Sequence, residues 1–334
     1  MDAEVETNQS LSQLSWTSVG VKDLYGSLLI TISVFILTIN GLLLFVIYSS
    51  KYLHRRQNAF VVSLAISDIL NGFVEGPFFA HITLNRPEQL PPHACVFVFF
   101  VNHYTKASVS FSLMALCIER CLAVSVPLKY QSIVTNRSCA ITIILIWVVS
   151  AFFTALPLLR DRIVYDKDKM ACTFEGHSRR YTLDTIILYI VFSRLIPTFV
   201  ILVCMTTTLD KARSRFKFST IIAAVPFAAI PVAYPLNLKK ITIKALRSLL
   251  YLSIIFSVLT IVCCASGIQR AIRNDNFPPV YEMILEFISL SYYFITPVII
   301  LIFNRQYQNR IVSLFCKRCV RTNRVEQDPS PQPT

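Results

Sequence analysis

The run Lys211-Ala212-Arg213-Ser214-Arg215-Phe216-Lys217, followed by FSTIIAAVPFAAIPVAYPLNL over 218–238 and then by Lys239, Lys240, Lys244 and Arg247, decides the architecture. Its uncharged middle is long enough to cross a bilayer as a helix, which takes about 20 apolar residues. Pro226, Pro231 and Pro235 argue against a crossing, because each would free backbone groups that lipid cannot hydrogen-bond. Both flanks are also strongly basic, and basic residues near span ends stay on the cytosolic side. A crossing helix has one end on each side. The stretch is therefore expected to be an insertion in a cytoplasmic loop that lies on or dips into the inner leaflet. The alternatives are an eighth crossing, or a segment foreign to the natural mature protein.

Seven further apolar stretches lie around it, at 24–49, 59–84, 95–126, 139–159, 185–209, 245–268 and 280–303. Most carry more Leu, Ile, Val and Phe than a soluble helix needs on one face, and they lack the alternation of a membrane β-strand. The composition agrees. Of 334 residues, 54% are hydrophobic and 15% charged, against about 25% charged in ordinary soluble domains. A count of only 7 glycines argues against glycine-rich phosphate loops. A net charge of +13 without a polar surface to carry it does not describe a nucleic-acid binder. The expected fold is an all-α, seven-transmembrane helix bundle.

Charge sets its orientation. Lys51, Arg55, Arg56, Lys129 and Arg137 follow spans one and three, and six basic residues follow span seven, whereas the first 23 residues are acidic. The N-terminus is therefore outside and the C-terminus inside. The expected organisation is an extracellular tail (1–23), the bundle (24–303, with the insertion at 218–238), an amphipathic interfacial helix (304–316) and a cytoplasmic tail (317–334). Phe303, Tyr307, Ile311 and Leu314 recur on one face of that helix, with Arg305 and Arg310 turned away, so membrane lipids are its expected partner. Asn8-Gln9-Ser10 is a glycosylation acceptor on the outer side. Cys316 and Cys319, just past the amphipathic helix, read as palmitoylation sites.

Ser112-Leu113-Met114-Ala115-Leu116-Cys117-Ile118-Glu119-Arg120-Cys121 ends span three and leads to Pro127-Leu128-Lys129-Tyr130. Asn40, Ser63-Leu64-Ala65-Ile66-Ser67-Asp68, Trp147, Pro197 and Thr296-Pro297 stand in order on the other spans. Together they resemble the rhodopsin-like (class A) family of G-protein-coupled receptors. The resemblance implies a plasma-membrane receptor with an extracellular small-molecule or peptide ligand and a heterotrimeric G protein as partners. It implies that Glu119 restrains Arg120 at rest, and that Asp68 and Asn40 form a sodium-and-water pocket. It also implies a bridge between Cys95 and Cys172, the two cysteines that fall outside. No cofactor beyond a possible sodium ion follows. Span seven has no lysine for a retinal Schiff base, so retinal is not expected.

Departures accompany the matches. Phe256 in span six is followed by Ser257-Val258-Leu259-Thr260-Ile261-Val262, without the family's Trp and Pro. Span seven reads Thr296-Pro297-Val298-Ile299-Ile300, so the usual tyrosine is absent, and Met205 stands near the place of the span-five tyrosine. These losses favour, as an alternative, a receptor-like protein that scaffolds or traffics partners without signalling.

A ligand pocket is expected between the outer halves of the helices. Asn102 stands where amine receptors place an Asp, which disfavours a biogenic amine. Ionisable groups within a membrane are functional candidates. Here they are His103 and Lys106 on span three, Glu75 on span two, Arg194 on span five, and Glu282 and Glu286 on span seven. Lys106 and Arg194 suit an anionic or zwitterionic ligand; alternatively Lys106 pairs internally with Glu75 or Glu286. No HExxH, GxSxG or P-loop is present, so an enzyme is not expected. A transporter is a weaker rival, because no internal symmetry is visible.

Overall fold

The structure, a computed structural model, describes residues 19–50, 58–85, 87–159, 162–166, 171–174, 184, 187–223, 249–266 and 279–315. Among them, seven helices are long and apolar enough to cross a membrane. Spans one to four are Val19–Tyr48, Ala59–Asn85, Pro92–Ser125 and Asn136–Leu158. Span five comprises a π turn at Val191–Leu195 and the helix Ile196–Ala223. Span six is Leu249–Ser266 and span seven Pro279–Phe303, followed by a terminal helix at Arg305–Phe315.

Local chemistry sets several boundaries. Pro92 opens span three at the first helical position, where a missing N–H removes no bond. Thr135 and Ser138 cap span four reciprocally, the Ser138 N–H donating to Thr135 Oγ1 at 3.1 Å and the Thr135 N–H to Ser138 Oγ at 2.9 Å. Pro197 cannot donate to the carbonyl one turn back, and the π turn directly before it absorbs the mismatch. Residues 218–223, the start of the proline-rich stretch, continue the span-five helix, because Asp210, Lys211, Ala212 and Arg213 before them are compatible with helix. The rest of that stretch, the N-terminal tail with Asn8, and Cys316 and Cys319 lie outside the described residues.

Span three is the axis of the bundle. It packs against spans two, four and five and against a short antiparallel hairpin, β1 (Ile163–Asp166) with β2 (Ala171–Phe174). Span one packs against two and seven. Cys95 at the outer end of span three is bonded to Cys172 of β2, with Cα atoms 5.5 Å apart, so the hairpin is tied over the bundle.

Apolar side chains cannot distinguish a neighbouring helix from lipid tails, so close packing and buried polar contacts must hold the spans together. Both are present. A Cβ added at Gly76 would come within 1.7 Å of Ser33 Oγ, and one at Gly72 within 2.6 Å of Ile36 Cγ2. Spans one and two approach closely because these positions have no side chain. Trp147 Nε1 donates to Ser63 Oγ at 3.1 Å, and Ser63 Oγ lies 3.0 Å from Ser112 Oγ, which joins spans two, three and four. The Tyr25 hydroxyl donates to Met283 O at 2.8 Å and Asn40 Nδ2 to Tyr293 O at 3.1 Å, which joins spans one and seven. Cys117 Sγ meets Ser253 Oγ at 3.5 Å between spans three and six.

Gly76→Val should therefore cost about 1–3 kcal/mol through overpacking and lower the melting temperature of the detergent-solubilised protein. Gly41, where an added Cβ meets nothing within 4 Å, is the control. Gly41→Ala should leave the melting temperature unchanged or raise it slightly, since alanine is the better helix former.

Candidate ligand pocket and switch

The charged residues of the outer half converge. Lys106 Nζ lies 2.8 Å from Glu75 Oε1 and 3.5 Å from Glu286 Oε1. Asn102, one turn earlier on span three, donates to the same Glu75 oxygen at 2.5 Å. Glu75 is wholly buried, and an intramembrane carboxylate requires such partners. One lysine thus ties spans two, three and seven, and its contacts are internal. Lys106 is within pairing distance of both acids.

Arg194 is held differently. Its Nη1 donates to Lys106 O at 3.1 Å and to Ser110 Oγ at 3.2 Å. No carboxylate is in contact with it among the described residues. It lines a cavity of about 30 Å³ with Thr260, Cys263, Ser289, Tyr292 and Tyr293. A water needs about 10–15 Å³ by this measure, so the cavity accepts only a small polar group. His103 lies on the neighbouring face of span three. Its Nδ1 is 2.9 Å from Phe99 O, its ring stacks on Phe99 at 4.0 Å, and its carbonyl accepts from Tyr189. Glu282 falls on span seven, but its side chain is outside the described residues.

Deeper in the bundle, Asp68 is fully buried and neither carboxylate oxygen has a hydrogen-bond partner among the described residues. Asn40 Oδ1 and Asn71 Oδ1 are in the same state. The amide nitrogens are engaged elsewhere, that of Asn40 with Ile36 O and Tyr293 O and that of Asn71 with Thr105 Oγ1. Buried unpartnered oxygens are the donor type a hard cation takes. Thr296, in the helix-seven motif with Pro297, turns its hydroxyl back onto Tyr292 O at 2.9 Å.

At the inner end of span three, Arg120 Nε lies 3.1 Å from Glu119 Oε2, and the Tyr130 hydroxyl donates to Glu119 Oε1. Glu119 is buried while a quarter of the Arg120 side chain is exposed. Tyr130 sits on the short helix Pro127–Ile133, and nothing in its sequence position announces the contact.

A family profile described as seven-transmembrane receptor (rhodopsin family) matches residues 39–300, well over half of the chain. The chain belongs to that family. The receptor is 34% identical to the adenosine receptor A2b of Gallus gallus over 140 residues, 42% of this chain and 40% of the relative. It is 29% identical to the dopamine D2-like receptor of Drosophila melanogaster over 182 residues, 54% of this chain and 19% of the relative. To the histamine H1 receptor of Bos taurus it is 32% identical over 129 residues, 39% and 26% respectively. The matches thus span at most two fifths of these relatives' lengths.

Removing Lys106 alone leaves two acids without their cation. Lys106→Ala should cost about 3–5 kcal/mol, read as a drop in melting temperature and in surface expression. Adding Glu75→Gln should recover part of the loss. A double mutant less stable than Lys106→Ala would contradict the tie described above.

Proposed function

We propose that the receptor is a multi-pass plasma-membrane protein that binds an extracellular ligand between its helices and drives nucleotide exchange on a heterotrimeric G protein. The observation carrying this reading is the Glu119–Arg120 pair at the cytosolic end of the central span, with Tyr130 on the same carboxylate. Glu119 holds Arg120 at rest, and an inward-open state releases it toward the G protein. The ligand acts by binding the released state more tightly; its differential affinity sets how far the population moves.

The ligand is proposed to carry an anionic group, a carboxylate or a similarly small anion, with Arg194 as its anchor. Among the described residues Arg194 has no acid in contact, whereas Lys106 is engaged by Glu75 and Glu286. A guanidinium presents several donors in a plane suited to a carboxylate. The proposed site also takes in Asn102, His103 and Glu286 above the Arg194 cavity, and Glu286 would offer a counter-charge for a zwitterion. The named ligands of the adenosine, dopamine and histamine receptors do not carry over. Asn102 in particular supplies no charge for an amine. Asp68, with Asn40, would hold a sodium ion, which would neutralise the buried carboxylate and favour the resting arrangement.

A second reading, a receptor-like protein without signalling, is favoured by span six, where Phe256 packs on Tyr292 with ring centroids 5.5 Å apart and no Trp or Pro follows. Nucleotide exchange in membranes from expressing cells separates the two, using a library of small carboxylates, phosphates and sulfates. Exchange should be measurable for the wild type and fall at least about tenfold in Arg120→Ala at matched surface expression. Arg194→Ala should weaken an active anion by about 10–100-fold, as expected for a lost charge-assisted contact. Absence of exchange under every condition would favour the non-signalling reading, and unchanged potency in Arg194→Ala would remove the anion anchor.

A further inference from the structure

Three charged side chains meet in the outer half of the bundle, and two of them are acids. Lys106 Nζ stands 2.8 Å from Glu75 Oε1 and 3.5 Å from Glu286 Oε1, so one ammonium answers two carboxyl groups. Arg194, the next cation, reaches Lys106 through its backbone carbonyl and touches neither acid among the described residues. With both acids ionised the trio carries one negative charge in excess. A charge of that kind is costly within a membrane.

The two acids are held differently. The Glu75 side chain is 1% exposed, and its Oε1 accepts from Lys106 and, at 2.5 Å, from Asn102 Nδ2. Its Oε2 has no donor among the described residues. The Glu286 side chain is 22% exposed and makes the longer contact with Lys106. The two carboxyl groups are also within hydrogen-bond reach of each other, and a carboxyl pair makes such a bond only with a proton between its oxygens.

Other titratable groups surround the trio. Span one brings Tyr25, whose hydroxyl donates to Met283 O at 2.8 Å, one turn before Glu286. Span five brings Arg194, and span six brings Cys263, which shares the Arg194 cavity with Tyr293 of span seven. His103 on span three has Nδ1 2.9 Å from Phe99 O. A proton on His103 would add a positive charge near Lys106 and Arg194, whereas a proton on Glu286 removes a negative charge beside Glu75. The Glu282 side chain lies outside the described residues.

We propose that Glu75, Lys106 and Glu286 form a proton-binding site open to the outer side. Glu286 takes up one proton, shares it with Glu75, and so releases Lys106 from span seven, while Glu75 keeps both Lys106 and Asn102. Span three is then tied through Lys106 to span two alone. The proton comes from water and only an O–H bond forms, so the uptake is reversible. It needs neither the anion proposed for Arg194 nor a G protein.

Infrared difference spectra of the full chain in detergent, taken between mildly alkaline and mildly acidic buffer, read the C=O stretch of a protonated carboxyl group. On acidification the wild type should gain a band that Glu286→Gln lacks. In a Glu75→Gln background, where one lysine faces one acid, the spectra with and without Glu286→Gln should coincide. Glu88→Gln, at an exposed acid beyond the outer end of span two, should leave the band in place. No band specific to Glu286, or one that persists in the Glu75→Gln background as for an ordinary exposed acid, overturns the proposal. The functional arm is basal nucleotide exchange with the outer side acidified. It should rise by at most about tenfold per pH unit, the limit for one linked proton, and Glu286→Gln should hold it at the acid level throughout. A response kept in Glu286→Gln and lost in His103→Gln assigns the proton to the imidazole and overturns the proposal. If the wild type shows no exchange under any condition, the G-protein reading fails, and the infrared arm alone still decides the proton site.

Discussion

Lipid offers no hydrogen-bond partner, and every polar group that enters the bundle must be answered from within it. Span three carries most of those answers. Along its length it meets Glu75 through Asn102 and Lys106, Asn71 through Thr105, Ser63 through Ser112, and Ser253 through Cys117. Arg194 of span five reaches the same helix through Lys106 O and Ser110. The apolar faces keep the helices in the membrane, but these contacts determine which helix lies beside which. Deleting an apolar residue exchanges a protein neighbour for a lipid one, whereas deleting a polar partner leaves a buried group unanswered.

Where that demand is met incompletely, the incomplete sites are the functional candidates. Three regions stand out among the described residues: Arg194 without an acid in contact, Asp68 without a hydrogen-bond donor, and Arg120 with a single engaged nitrogen. They lie on different helices, from the outer half of the bundle to its cytosolic end. Each has a proposed complement: a ligand anion, a sodium ion and the G protein. Unsatisfied groups of this kind favour alternative states, which is what a protein responding to a ligand requires.

The departures in spans six and seven acquire a physical meaning in this setting. Ile300 and Met205 are apolar and buried in the core, and Tyr307 of the terminal helix is buried there too. A short helix anchored through Asn304 and Arg310 thereby packs a ring against the bundle.

The bundle and its count of spans were legible in the chain itself, since length, hydropathy and the side preferred by basic residues are one-dimensional properties that the membrane reads directly. The Cys95–Cys172 pair was legible through the family resemblance, and the Glu119–Arg120 neighbours through their adjacency. What sequence left open was whether Lys106 faces a ligand or its own bundle, and what lies opposite Tyr130. These depend on the rotation of each helix about its axis and on the close approach at Gly72 and Gly76, which bring together residues tens to hundreds of positions apart. In an apolar solvent nearly every rotation of a hydrophobic helix buries similar surface, so no periodicity records the choice. Only the mutual satisfaction of polar groups across helices selects one arrangement, and that exists only in the assembled tertiary structure.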